Sequence, residues 1–195
     1  MNTEKNNSEY WKQRNIDWGE AYWTPDHPHR KLIVDKVVEM NPKSVLEVGC
    51  AAGVNLYLIK KALPEIIIAG CDINEMAVRE ARRRLPDADI RRTNAISLPY
   101  QRGEFDLILT DACLIYINPD QMYQVMRGFR RVANRFLFNE FHTEDNYKRQ
   151  LMMKVDNYFV YDYNKVLMEA ELTKIPKEAW PGEPWESTGY LIEGK

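Results

Sequence analysis

No apolar run in these 195 residues approaches the roughly 20 needed to cross a bilayer, and the polar opening Met1 to Glu9 has no signal-peptide core. The expectation is a soluble, cytoplasmic protein without a membrane partner. A large excess of either charge is missing too. With 27 Lys plus Arg against 29 Asp plus Glu, nothing attracts nucleic acid in general, and no basic stripe tracks phosphates. Cysteine is scarce: Cys50, Cys71 and Cys113 are an odd number without a Cys-x-x-Cys pair, which reads as reduced structural thiols and no metal site. Tryptophan is absent between Thr24 and Ala179, so the central core does without it. Internal repeats and low-complexity tracts are absent, and no feature specifies an oligomeric state.

From Ser44 onward, strand-like and helix-like stretches alternate, which predicts an α/β domain with a parallel sheet. Strands are expected at Ser44 to Val48, Ile66 to Cys71, Asp89 to Thr93, Phe105 to Leu109 and Arg135 to Glu140. A sixth is expected near Leu172 to Ile175 and a last at Gly189 to Glu193. A helix carrying Leu56, Ile59 and Leu63 stops at Pro64, and another runs Glu75 to Leu85 from an Asn74 cap. A third opens at Asn118-Pro119 with Asn118 as cap, and a fourth spans Asp162 to Ala170. Ser8 to Asn15 and His29 to Met40 read as helices ahead of the sheet, and Arg79, Arg82, Arg83 and Arg84 as a solvated helix face.

The chemistry gathers where strands end. Val45-Leu46-Glu47-Val48-Gly49-Cys50-Ala51-Ala52-Gly53 passes from an apolar strand through an acid into a loop of small residues, which lets ligand atoms approach the backbone at a helix N-terminus. In an open parallel sheet ligands bind outside the carboxyl ends of the strands. Strand two ends at Asp72, an acid suited to a bidentate grip on ribose hydroxyls, and Asn94 after strand three suits an adenine edge. The loop lacks Gly-x-Gly-x-x-Gly spacing, and Glu47 would crowd a pyrophosphate, so a nicotinamide-dependent oxidoreductase is the weaker alternative.

Glu47, the small-residue loop, Asp72, Asn94 and the strand Gly103-Glu104-Phe105-Asp106-Leu107-Ile108-Leu109 form an ordered series. Over roughly Pro42 to Glu140 the sequence resembles the class I S-adenosylmethionine-dependent methyltransferases. The resemblance implies a Rossmann-like α/β fold with a seven-stranded, mostly parallel sheet in the order 3-2-1-4-5-7-6 and helices on both faces. It divides one domain, 1–195, into an N-terminal helical cap or lid (1–41), a cofactor-binding core (42–140) and acceptor-side elements (141–195). S-adenosylmethionine is the implied cofactor, with Glu47, Gly49, Cys50, Ala51 and Gly53 around its methionine part, Asp72 at the ribose, and Asn94 with Ala95 at the adenine. Asp111 would lie near the methionine amino group and the acceptor, and Asn55, Ile73 and Tyr22 complete the implied set. Ala51 stands where the family's loop usually has glycine, and Asn94 where it usually has an acid. Leu114 to Asp120, Trp18 to Tyr22 and Arg135 to Phe141 also resemble pseudaminic-acid-biosynthesis-associated methylases, which implies a sugar or nucleotide-sugar pathway.

Asp111-Ala112-Cys113-Leu114 replaces the Pro-Pro-aromatic signature of amino-directed DNA methyltransferases, so the expected partner is a small-molecule acceptor and not nucleic acid. Candidate general bases are His142 and Glu140 after strand five, and His29 ahead of the first long helix; Tyr116 is a candidate for positioning the acceptor. The Trp18 to Trp23 segment reads as a lid or as flank packing, and Trp180 to Trp185 as a possible wall of the acceptor pocket. A protein that keeps the fold and binds cofactor without turnover is the remaining alternative.

Overall fold

The computed structural model describes residues 7–147, 150, 158–169, 178–179 and 189–194, the last two segments by their backbone. Three helices, α1 (Asn7–Gln13), α2 (Trp18–Ala21) and α3 (Pro28–Met40), precede β1 (Ser44–Val48). Then follow α4 (Val54–Ala62), β2 (Ile67–Asp72), α5 (Glu75–Arg84), β3 (Asp89–Arg92) and β4 (Phe105–Asp111). After a 3-10 turn at Leu114–Tyr116 come α6 (Pro119–Val132), β5 (Ala133–Phe141), α7 (Tyr163–Glu169), β6 (Glu178–Ala179) and β7 (Gly189–Gly194). They build a seven-stranded sheet in the order β3-β2-β1-β4-β5-β7-β6. Strands β1 to β5 run parallel, and β7 lies antiparallel to both β5 and β6. This is the Rossmann-like order expected from the sequence.

Side chains alternate across a strand, so each strand feeds two cores. Val45, Leu107, Leu109 and Leu137 face one side, where Ile33 and Val37 of α3, Leu56 and Ile59 of α4, and Val78 and Ala81 of α5 cover them. Leu46, Val48, Ile108, Phe136 and Phe138 face the other, against Val125, Met126 and Phe129 of α6 and Leu167 of α7. The same alternation fixes the fate of the polar residues at the strand ends. Glu47, Asp111 and Asn139 continue the rows of Val45, Leu109 and Leu137 toward α3 and α4, whereas Glu140 continues the row of Phe138 toward α6.

Several boundaries differ from the sequence expectation. Strand β4 runs on through Thr110 and Asp111 because these polar residues pair with Phe138 and Asn139 of β5. Asn74 caps α5 as expected, accepting from the N–H groups of Met76 and Ala77 at 2.8 and 3.1 Å, but Asn118 makes no side-chain cap on α6. Pro119 starts that helix without one. The strand expected near 172–175 lies outside the described residues, as do Trp180 and Trp185. The short helix α2 was not foreseen; Asp17 caps it by accepting from Glu20 N–H. Among the described residues no helix is long and apolar enough to cross a membrane.

Candidate functional site

A cleft of about 290 Å³ opens at the carboxyl ends of β1, β2 and β4. Its floor is the loop after β1. Gly49 and Cys50 donate their N–H groups to the Cys71 carbonyl at 2.8 and 3.0 Å, which turns the chain sharply away from the strand. Gly49 has a φ of 79°, and a Cβ there would sit 2.5 Å from Cys113 Sγ, so only glycine fits. Ala51 also has positive φ, 46°, a conformation that costs an L-residue roughly 1–2 kcal/mol. Its N–H is held by Asp72 Oδ2 at 3.0 Å. Gly53 does not line the cleft; it has a φ of 82° at the start of α4, where a Cβ would press on Leu85 at 2.9 Å.

Beside the loop lies a buried polar network. Asn55 Nδ2 donates to Glu47 Oε1 at 2.7 Å and to Asp111 Oδ2 at 3.0 Å, while its Oδ1 accepts from Arg30 Nη1 at 3.0 Å. Arg30 also pairs directly with Asp111 Oδ2, and Asn139 Nδ2 donates to Asp111 Oδ1 at 2.6 Å. His29 Nε2 lies 3.3 Å from Asp111 Oδ2. Burial opposes the Asp111 charge, but Arg30, His29 and Asn55 outweigh it and hold the carboxyl well below the usual carboxylate range. Glu47 is 2 % exposed and has no cation of its own; burial pushes its carboxyl up to about 8 against the Asn55 hydrogen bond. Glu47 Oε2 and Arg30 Nε are buried without hydrogen-bond partners among the described residues.

Asp72 ends β2 with its carboxylate fixed by Ala51 N–H and, at 2.9 Å, by Asn74 N–H. Burial raises its pKa and those N–H groups restrain the rise. Ile73, Asn94 and Ala95 continue the wall beside it, with Asn94 Oδ1 accepting from Ile96 N–H at 3.0 Å. Cys50 and Tyr22 line the same cleft. Burial pushes the Cys50, Cys71 and Cys113 thiols up, which keeps them protonated.

The four candidates for chemistry on the acceptor are divided. His29 and Tyr116 line the cleft, and Glu140 and His142 do not. Glu140 Oε1 instead accepts from the N–H groups of Cys113 and Leu114 at 2.9 and 3.0 Å, pinning the loop after β4, and burial raises its carboxyl to about 7. His142 Nδ1 accepts from Tyr163 N–H at 3.1 Å under α7. Sequence reasoning missed Arg30 and Asn139. Arg30 shares the buried helical row of Ile33 and Val37, and Asn139 shares the strand row of Leu137, so both signals lay in periodicity.

The N-terminal segment closes one side of the cleft through Trp11, Trp18 and Tyr22, while Trp23 packs under the Arg84 guanidinium, 3.8 Å from the ring centroid. Asn74 supplies hydrogen bonds that fasten it: its Nδ2 donates to the carbonyls of Trp11 and Arg14 at 2.7 and 2.8 Å. Asn74→Asp keeps the oxygen that caps α5 but sets a carboxylate against those carbonyls. We expect it to undock residues 7–16, losing about 1–3 kcal/mol of docking, while Asn74→Ala also loses the cap, about 1 kcal/mol more. Limited proteolysis reads the first effect and thermal melting the second; equal protease resistance of Asn74→Asp and the parent would refute the fastening role.

Residues 45–135 match the family model described as a methyltransferase domain. The demethylmenaquinone methyltransferase of Thermotoga maritima is 30% identical over 110 residues, which are 56% of this chain and 47% of that protein. The chain thus spans about half the length of this relative, and 27% of a phthiotriol/phenolphthiotriol dimycocerosates methyltransferase of Mycobacterium ulcerans to which it is 34% identical over 74 residues. Among solved structures, magnesium protoporphyrin IX methyltransferase from Synechocystis with bound SAH has a TM-score of 0.73 at 14% identity, covering 96% of both chains. The N-methyltransferase NodS from Bradyrhizobium japonicum has a TM-score of 0.70 at 17% identity, covering 96% of this chain and 95% of its own. Residues 45–135 thus match the methyltransferase-domain model, on a seven-stranded sheet in the order β3-β2-β1-β4-β5-β7-β6, and the fold as a whole is like that of these solved methyltransferases.

Proposed function

We propose that the cleft binds S-adenosylmethionine and that the chain transfers its methyl group to a small-molecule acceptor. The observation that carries this reading is the network of Glu47, Asn55, Arg30 and Asp111 beside the Gly49 backbone, with Glu47 Oε2 and Arg30 Nε still without partners among the described residues. A buried cation and buried acids with spare hydrogen-bonding capacity suit a zwitterion: Arg30 for the methionine carboxylate, Asp111 and Glu47 for the ammonium. Asp72 holds the ribose, and Ile73, Asn94 and Ala95 flank the adenine. Gly49, Cys50 and Ala51 offer a close backbone surface, and Tyr22 lies across the cleft.

The cofactor brings a methyl group already activated on a sulfonium. The chain's task is to align the acceptor with it and to exclude water, which contributes several kcal/mol through orientation. His29, oriented by Asp111, is the base on the cleft wall for a hydroxyl acceptor, and Tyr116 positions that acceptor. Glu140 and His142 keep structural roles in this reading. The relatives are named for demethylmenaquinone, phthiotriol dimycocerosates and magnesium protoporphyrin IX, which supports a small molecule without favouring a sugar.

Titration calorimetry with S-adenosylhomocysteine is expected to give saturable binding, with none for NAD. Asp72→Ala should weaken that binding by about 1.5–3 kcal/mol for each charge-assisted hydrogen bond lost. Unchanged affinity would remove the ribose assignment. Binding without transfer of labelled methyl to any fraction of a metabolite extract would establish the non-catalytic alternative.

A further inference from the structure

We propose that the aromatic side of the cleft is the acceptor subsite and that it takes a neutral, planar hydroxyl compound of the phenol class; this rests on the methyl-transfer reading above. The rings come from separate segments and interlock. Trp11 meets Tyr116 with centroids 4.8 Å apart at 61°, Tyr116 meets Tyr158 at 5.5 Å and 84°, and Trp18 stacks on Tyr22 at 4.9 Å. Such a surface rewards a flat aromatic body by stacking and by edge-to-face contact.

Charge argues for the same class. Among the described residues lining the cleft, Arg30 is the one Lys or Arg, and it is engaged by Asp111 and Asn55. A phosphorylated or nucleotide-linked acceptor would therefore bury its charge without a counter-ion. A sugar would bury several hydroxyls against ring faces, where, among the described lining residues, few polar groups lie beyond those assigned to the cofactor. A single phenolic hydroxyl needs far less. The Trp18 Nε1 donor is buried on this wall with no hydrogen-bond partner among the described residues, and the His29 and Asp111 pair stands at the junction with the cofactor side. The acceptor oxygen forms a bond to the methyl carbon as the carbon–sulfur bond breaks; the electron pair of that bond goes to sulfur, giving a neutral thioether, and the phenolic proton goes to His29.

The test is calorimetry on protein saturated with S-adenosylhomocysteine, titrated separately with 2-naphthol, phenethylamine and UDP-glucose. Saturable binding is expected for 2-naphthol alone. Tyr116→Ala should weaken it about tenfold and Tyr116→Phe only about twofold, because the ring carries most of the contact, with S-adenosylhomocysteine affinity unchanged in both. With labelled S-adenosylmethionine, 2-naphthol should yield its methyl ether, and His29→Gln should lower kcat about 100-fold while leaving KM within about twofold. Preference for UDP-glucose or phenethylamine, or no saturable heat from 2-naphthol in protein that binds S-adenosylhomocysteine, would overturn the assignment. Protein that fails to bind S-adenosylhomocysteine removes the methyl-transfer reading itself, and this proposal with it.

Discussion

Asp111→Ala is expected to lower the unfolding free energy by about 3–5 kcal/mol, because it leaves the Arg30 guanidinium buried without its partner. The Arg30 and Asp111 side chains are 10% and 7% exposed, so water does little to compensate. The same change strips Asn139 Nδ2 and Asn55 Nδ2 of an acceptor. Urea denaturation at pH 7 measures the loss. Removing both charges, with Arg30→Met and Asp111→Leu together, should restore part of the stability while abolishing S-adenosylhomocysteine binding, since desolvation of the ion pair offsets much of its attraction but the Asn139 and Asn55 amides still lack their partners. A double variant as unstable as the single would show that the pair itself stabilises the fold. The Asp111 pKa is depressed, so its contribution is full above the ordinary carboxylate range and is lost as pH falls through the lower, folded value.

Glu47→Gln should act in the opposite sense on stability. Burial raises the Glu47 pKa to about 8 from its ordinary value of 4.5, so between these values the folded state holds a proton that the unfolded state has released. Stability therefore falls as pH rises from about 4.5 to 8, and at about 1.36 kcal/mol per pKa unit the penalty above pH 8 is on the order of several kcal/mol. Glutamine does not titrate and keeps an oxygen for Asn55 Nδ2. The variant is expected to match the parent near pH 4 and to exceed it increasingly up to pH 8, while binding S-adenosylhomocysteine more weakly, because glutamine lacks the carboxyl that the arriving ammonium would ionise. Chemical denaturation across that pH range is the measurement. Parallel stability curves for the two proteins would refute the buried, protonated state of Glu47.

The sheet was legible because parallel strands covered on both faces read as short apolar runs, and Asn74 and Pro119 marked helix starts from their own chemistry. The acids Glu47, Asp72 and Asp111 stood out for the converse reason, as charges at the ends of such runs. The partners of those acids were harder to see. Arg30 becomes part of the site only when α3 docks on the sheet, and its charge draws the eye to solvent when the row of Ile33 and Val37 places it inside. Glu140 misled in the mirror-image way: it ends a strand on the ligand side, but its row is that of Phe138, so it faces α6. The aromatic wall depends on Asn74 holding a segment some 60 residues distant in sequence, at separations of 63 and 60, which no local pattern announces.

Strand β5 carries Asn139, the partner of Asp111, yet it obtains its second neighbour only from β7, after α7 and β6 have been made. On the ribosome β5 is therefore an edge strand, its outer backbone groups unpaired, until residues 189–194 emerge to cover Phe136 through Phe141. The apolar row Phe136, Leu137, Phe138 makes that open edge a template for pairing with another nascent chain.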